Sequence, residues 1–243
     1  MPNTNEGLYE LHQLLREMRD VRDELARGPR MIKAREQLVT QAEAELATQQ
    51  EAVKQLRMAS DRKSLDLRAN ETKLVDLETK LNAATGNREY EILKGQLQAD
   101  RVANSVLQDE ILEFLERIDR TQLLVAECHV KITKAKEERD RVKADVDKAT
   151  PGLLDDAGRL DGKIKSAEAF LTGETHKRYR RLVESHGADA LAECDRGNCA
   201  ECNVSLTNQM QVALNSGNLI FCSSCGRLMY LAPGARVGGG GSR

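Results

Sequence analysis

An apolar repeat with a period of seven residues runs through the chain twice, once on each side of a short polar break. Starting at Ile32, positions seven apart read Val39, Leu46, Val53, Ser60, Leu67, Leu74 and Leu81, and a second row three residues on includes Ala42, Leu56, Leu77 and Ala84. After Thr85-Gly86-Asn87 the first row resumes as Tyr90, Leu97, Asn104, Ile111, Ile118, Val125, Ile132, Arg139 and Val146. Its companion row reads Leu93, Asp100, Leu107, Phe114, Thr121, Cys128, Ala135, Val142 and Ala149. A strict seven-residue repeat keeps one stripe of a helix facing a partner helix, and the short break lets the partner be the same chain turned back on itself. The fold class predicted is therefore mostly α, with a long antiparallel coiled-coil hairpin folded at residue 85 or 86. In that register Asn70, Asp100 and Asn104 form a polar layer across the seam, which costs stability and penalises slipped pairings. Cys128 reads as a small buried hydrophobe, and neither it nor His129 has a second metal ligand at helical spacing.

Two proline sites divide the remaining helical pattern. Leu8, Leu11, Leu14, Leu15, Met18, Val21 and Leu25 recur at helical spacing, and Gly28-Pro29 then predicts a kink or short break. Thr150-Pro151 predicts a fresh helix start, with Thr150 as N-cap and one face lined by Leu153, Leu154, Ala157, Leu160, Ile164, Ala167 and Leu171. The hairpin register sets that helix beside residues 8 to 20, so the two close the base.

The second constraint is Cys199-Ala-Glu-Cys202 followed by Cys222-Ser-Ser-Cys225. Two Cys-x-x-Cys pairs at this separation each grip one side of a tetrahedral metal, as in a small β zinc ribbon at the C-terminal end of the chain. Asn203 and Gly226, which follow the pairs, tolerate the positive φ that a turn wrapped around a thiolate needs. One structural Zn²⁺ on Cys199, Cys202, Cys222 and Cys225 is the expected cofactor. Cys194 stands five residues before Cys199, and the tetrahedron is filled without it. Between the pairs, Thr207 caps a short helix over 208–215 closed by Gly217, and strands are expected at 188–193, 218–221 and 227–231.

Composition narrows the function. Charged residues make up 31% of the chain and aromatic residues 3%, which suits helices that each bury a single stripe. The net charge of −2 gives no overall pull toward nucleic acid or an anionic membrane. There is no signal-peptide pattern and no apolar run long enough to span a bilayer, and clustered cysteines favour metal over disulfides in a reducing compartment. A cytoplasmic protein is expected, with no membrane partner and no small-molecule substrate. Lys177, Arg178, Tyr179, Arg180 and Arg181 form a basic run that, with Arg227, could contact phosphate or a protein partner. Its cations spread around a helix, however, as a solvated face does. No nucleophile and base pair, phosphate-cradling glycine loop or open metal position points to an enzyme. The organisation expected is a kinked hairpin with base helices over 7–172, a connecting helix with the basic run over 173–187, a four-cysteine ribbon over 188–235 and a disordered tail over 236–243.

With these motifs the chain resembles the bacterial coiled-coil proteins that carry a C-terminal C4-type zinc ribbon. The resemblance rests on Asn87-Arg-Glu-Tyr-Glu-Ile-Leu-Lys94, Tyr179-Arg-Arg-Leu182, the first cysteine pair with Ser205-Leu206, and Cys222-Ser-Ser-Cys225-Gly-Arg-Leu-Met-Tyr230. It implies the same four ligands and a non-enzymatic adaptor or chaperone for protein partners. Characterised members of that family bind the alternative sigma factor sigma-54, and some bind flagellar or type III secretion components or a flagellar transcript, so a link to transcription regulation is implied. Binding of RNA or DNA through the ribbon and the basic run is the second reading. Against it, Asp189, Glu193, Asp195 and Glu201 face only Arg196, Arg227 and Arg236, and a Zn²⁺ on four thiolates adds further negative charge.

Overall fold

A computed structural model describes residues 4–237 of the chain. Two long helices, α1 (Thr4–Ala83) and α2 (Asn87–Ala167), form the hairpin. The turn between them is closed where the amide of Tyr90 donates to the carbonyl of Gly86 at 3.0 Å. Every seam position from Ile32 on α1 to Ala84 just past its end is buried or half-buried, and on α2 the same holds from Leu93 to Val146. Tyr90 departs from the expected seam: it is 41% exposed, because the turn has not yet brought the helices into register. Arg35–Glu138 at 3.7 Å and Lys63–Glu110 at 2.7 Å cross between the helices in the register set by the turn. Partly exposed pairs of this kind add little stability but disfavour a slipped register. Ser60 and Asn104 are buried on the seam, and among the described residues the Asn104 Oδ1 has no hydrogen-bond partner. Cys128 is buried there as a hydrophobe would be.

Neither proline site breaks its helix. Pro29 lies inside α1 and Pro151 inside α2, so there is no break at Gly28-Pro29, and the helix start expected at Thr150-Pro151 is corrected. The reason is tertiary. A Cβ placed on Gly28 would lie 2.7 Å from the Val146 Cγ1, so the glycine admits Val146 of the facing helix rather than ending its own. Thr150, instead of capping, donates its hydroxyl to the carbonyl of Val146 at 2.7 Å.

Ile32–Val142 forms one compact unit, and the chain up to Met31 together with that from Lys143 onward forms the other. In this second unit Leu8, Leu11, Leu15 and Met18 of α1 share a core with Leu160 and Ile164 of α2, as the base pairing predicts. The same core takes Tyr179 of α3 (Gly173–His186) and Leu191, Leu228 and Tyr230 of the C-terminal sheet. Residues 172 and 188, taken from the sequence as domain limits, thus fall within one unit, because the sheet supplies the apolar surface that the base helices bury.

The sheet has four short strands, β1 (Leu191–Asp195), β2 (Asn198–Cys199), β3 (Ile220–Phe221) and β4 (Leu228–Tyr230), in the order β2-β1-β4-β3. β1 and β4 run parallel, with Leu191 opposite Leu228, while the outer pairings are antiparallel. The first strand begins later than expected, since Gly187–Ala190 is a 3₁₀ turn. A short helix, α4 (Asn208–Asn215), carries the predicted cap: the Met210 amide donates to the Thr207 hydroxyl at 3.3 Å. Order extends to the last described residue. The Val237 amide donates to Asn215 Oδ1 at 3.0 Å, so the tail expected to be disordered from 236 does not begin there, and residues 238–243 lie outside the described part. Among the described residues no helix is long and apolar enough to cross a membrane.

Candidate metal centre

Each cysteine pair sits where the sheet ends in a tight turn. Cys199 closes β2, and the turn after it brings the Asn203 amide to the Cys199 carbonyl at 2.8 Å, with Asn203 at φ 56°. Cys222 follows β3, and the matching turn brings the Gly226 amide to the Cys222 carbonyl at 3.0 Å, with Gly226 at φ 76°. The two turns repeat one local geometry, and the positive-φ positions are those predicted. Between them the Cys222 amide donates to the Arg227 carbonyl at 2.8 Å, which closes the second turn against β4.

The four sulfurs of Cys199, Cys202, Cys222 and Cys225 all lie within 4.8 Å of one another. The Cys199–Cys225 and Cys202–Cys222 sulfur separations are both 3.7 Å. A Zn²⁺ bound tetrahedrally at about 2.3 Å requires sulfurs about 3.8 Å apart, so the donor set fits such an ion and completes its tetrahedron. Cys194 is buried opposite Cys199 in the β1–β2 pairing but is not among the four. Burial pushes the Cys199 thiol up to about 12. At Cys225 burial acts the same way, but the backbone and guanidinium of Arg227, with the Cys222 and Cys202 sulfurs, outweigh it and bring the thiol to about 7. A metal would hold all four as thiolates, so its binding releases protons.

The basic run does not gather at this centre as a phosphate site would. Tyr179, expected at a contact surface, is instead fully buried in the base core, because the face of α3 that bears it packs on the sheet. The guanidinium of Arg178 lies 3.9 Å from the centre of the Phe221 ring. Lys177 pairs with Glu174 at 2.8 Å and Arg180 with Glu168 at 3.4 Å, while Arg181 is exposed. Arg227 is only 18% exposed and is turned inward on the metal turns.

Sequence reasoning did not find the polar ties between α1 and the ribbon. The Asn5 amide donates to the Leu214 carbonyl at 3.0 Å, and the Leu231 amide donates to Asn5 Oδ1 at 3.2 Å. Arg16 Nε donates to His12 Nε2 at 3.1 Å, which leaves the ring proton on Nδ1, facing the Tyr230 hydroxyl at 2.8 Å. No periodicity marks Asn5 or His12 as ties to the ribbon, since Leu214 and Tyr230 are more than two hundred residues away.

Fold and site together define a helical hairpin that carries a closed four-cysteine centre on a small sheet. No family model matches the chain, and no curated protein matches it. Solved structures do. The HP0958 protein from Helicobacter pylori is similar with a TM-score of 0.70 and 13% identity, over 95% of this chain and 98% of that one. CT398 from Chlamydia trachomatis is similar with a TM-score of 0.67 and 15% identity, over 94% of each chain. At these identities the likeness shows the fold, which two bacterial proteins share with this chain along nearly its whole length.

Proposed function

We propose that this protein is a non-enzymatic adaptor or chaperone whose zinc ribbon and coiled-coil hairpin present binding surfaces to other proteins. The observation that carries this reading is the closed donor set. Four sulfurs at tetrahedral separations leave no ligand position for a substrate or an activated water, so the metal serves to hold shape. By the family resemblance, the partner is the alternative sigma factor sigma-54 or a component of a secretion or flagellar apparatus, met in the cytoplasm. The second reading, binding of RNA or DNA, is weakened by the inward use of Arg227, by the pairing of Arg178 with Phe221 and of Arg180 with Glu168, and by the burial of Tyr179.

Mixing the zinc-loaded full chain with purified sigma-54, with purified secretion and flagellar components, and separately with single- and double-stranded nucleic acid across a salt series, decides between them. The adaptor reading expects a stable protein complex that persists at physiological salt. Strongly salt-sensitive association with nucleic acid, and no protein complex with sigma-54 or with secretion components, would replace it with the second reading.

A further inference from the structure

Arg227 reaches both metal turns and the strand that leads into them. Its Nε donates to the Asp189 carbonyl at 2.6 Å, just before β1. Its Nη2 lies 3.8 Å from the carboxylate of Glu201, which sits inside the first cysteine pair. The same guanidinium acts on the Cys225 thiol in the second pair, favouring its thiolate against the effect of burial. Its backbone carbonyl accepts from the Cys222 amide at 2.8 Å. One residue thus meets the first cysteine turn by its side chain and the second by its main chain.

Charge gives this placement a meaning beyond packing. Four thiolates around a Zn²⁺ leave two negative charges on the centre, and Glu201 adds a third beside it. A guanidinium offers several donors in a rigid fork, stays protonated, and at 18% exposure is partly withdrawn from solvent screening. Groups that hydrogen-bond metal ligands fix their orientation and set how tightly the metal is held.

We infer that Arg227 is the positioning residue of the metal centre, acting as charge partner to the thiolates and clamping the two cysteine turns around the ion. The inference rests on the centre holding zinc, as proposed above. It places Arg227 inside the ribbon's own machinery and so removes it from any partner-binding surface.

The test compares full-length wild type, Arg227→Gln and Arg227→Lys, each loaded with zinc, by the rate of zinc transfer to a chromogenic chelator. Arg227→Gln is expected to release zinc at least about tenfold faster, the lower end of the range for changes next to metal ligands, with Arg227→Lys in between because it keeps the charge. In the cobalt-substituted proteins, loss of the guanidinium leaves the thiolates more electron-rich. The sulfur-to-cobalt charge-transfer band of Arg227→Gln should therefore move to longer wavelength, which a purely structural role would not cause. Equal release rates with an unmoved band overturn the inference while leaving the zinc reading intact. A wild-type chain that binds no zinc overturns both. If Arg227→Gln loses its metal during purification, Arg227→Lys decides: retention supports the charge role, and equal loss overturns it.

Discussion

His12 is 1% exposed and has its two ring nitrogens committed to Arg16 and Tyr230. Burial first, and the Arg16 guanidinium next, lower its pKa to about 4, with Asp189 acting weakly the other way. An unfolded chain protonates this ring near pH 6.5, so the folded protein keeps the full benefit of a neutral His12 above about that pH. The benefit is lost as pH falls from there toward 4, at up to about 1.4 kcal/mol per pH unit. Chemical denaturation at stepped pH should show that slope in the wild type and not in His12→Gln. Acid release of metal affects both proteins, and an identical slope in the two would contradict the assignment. Tyr230→Phe removes the oxygen facing Nδ1 and should cost about 1–3 kcal/mol, the penalty for a buried polar group left unpaired. The cysteine turns are legible in the sequence because every residue that shapes them lies within a few positions of the ligands. His12 and Tyr230 are not, since their pairing spans 218 residues and leaves no local pattern.

At the level of elements, the heptads specify the hairpin well because burial follows the repeat almost position by position. The proline sites leave their helices unbroken for a related reason. Local chemistry favours a break at each, but packing between facing helices outweighs it where Val146 enters the space over Gly28. Gly28→Ala gains about 1 kcal/mol of helix propensity yet places a methyl against a stiff β-branched side chain, an overpacking that costs about 1–3 kcal/mol. The single variant should melt lower than wild type, and adding Val146→Ala should restore part of the loss. A double variant no better than the sum of the two singles would show that the contact is not the cause. Asn104 sits on the seam with a buried acceptor that has no partner among the described residues. Asn104→Leu should raise the denaturation midpoint of the Ile32–Val142 unit by an amount equivalent to about 1–3 kcal/mol. A lower midpoint would mean that the asparagine is satisfied in solution.

Across the whole molecule, the two compact units should answer differently to metal removal. The sheet that carries the cysteines contributes Leu191, Leu228 and Tyr230 to the core that buries Leu8, Leu11 and Ile164. Chelation is therefore expected to raise hydrogen exchange in residues 4–31 and 143–237 while the amides of Ile32–Val142 stay protected. Exchange confined to the cysteine turns would show that the base stands without the ribbon, and loss of protection throughout would show a single cooperative fold. The sequence marks ribbon and helices as separate pieces because their local patterns differ, and the core that joins them is built from contacts no local pattern records. One of those joins, at Asn5, bears on how the protein is made. Its side chain is bonded to Leu214 and Leu231, 209 and 226 residues further on, so the start of α1 is completed only by a segment synthesised much later. On a ribosome the hairpin between them can zip as it emerges, whereas the opening turns of α1 stay uncovered until the sheet arrives.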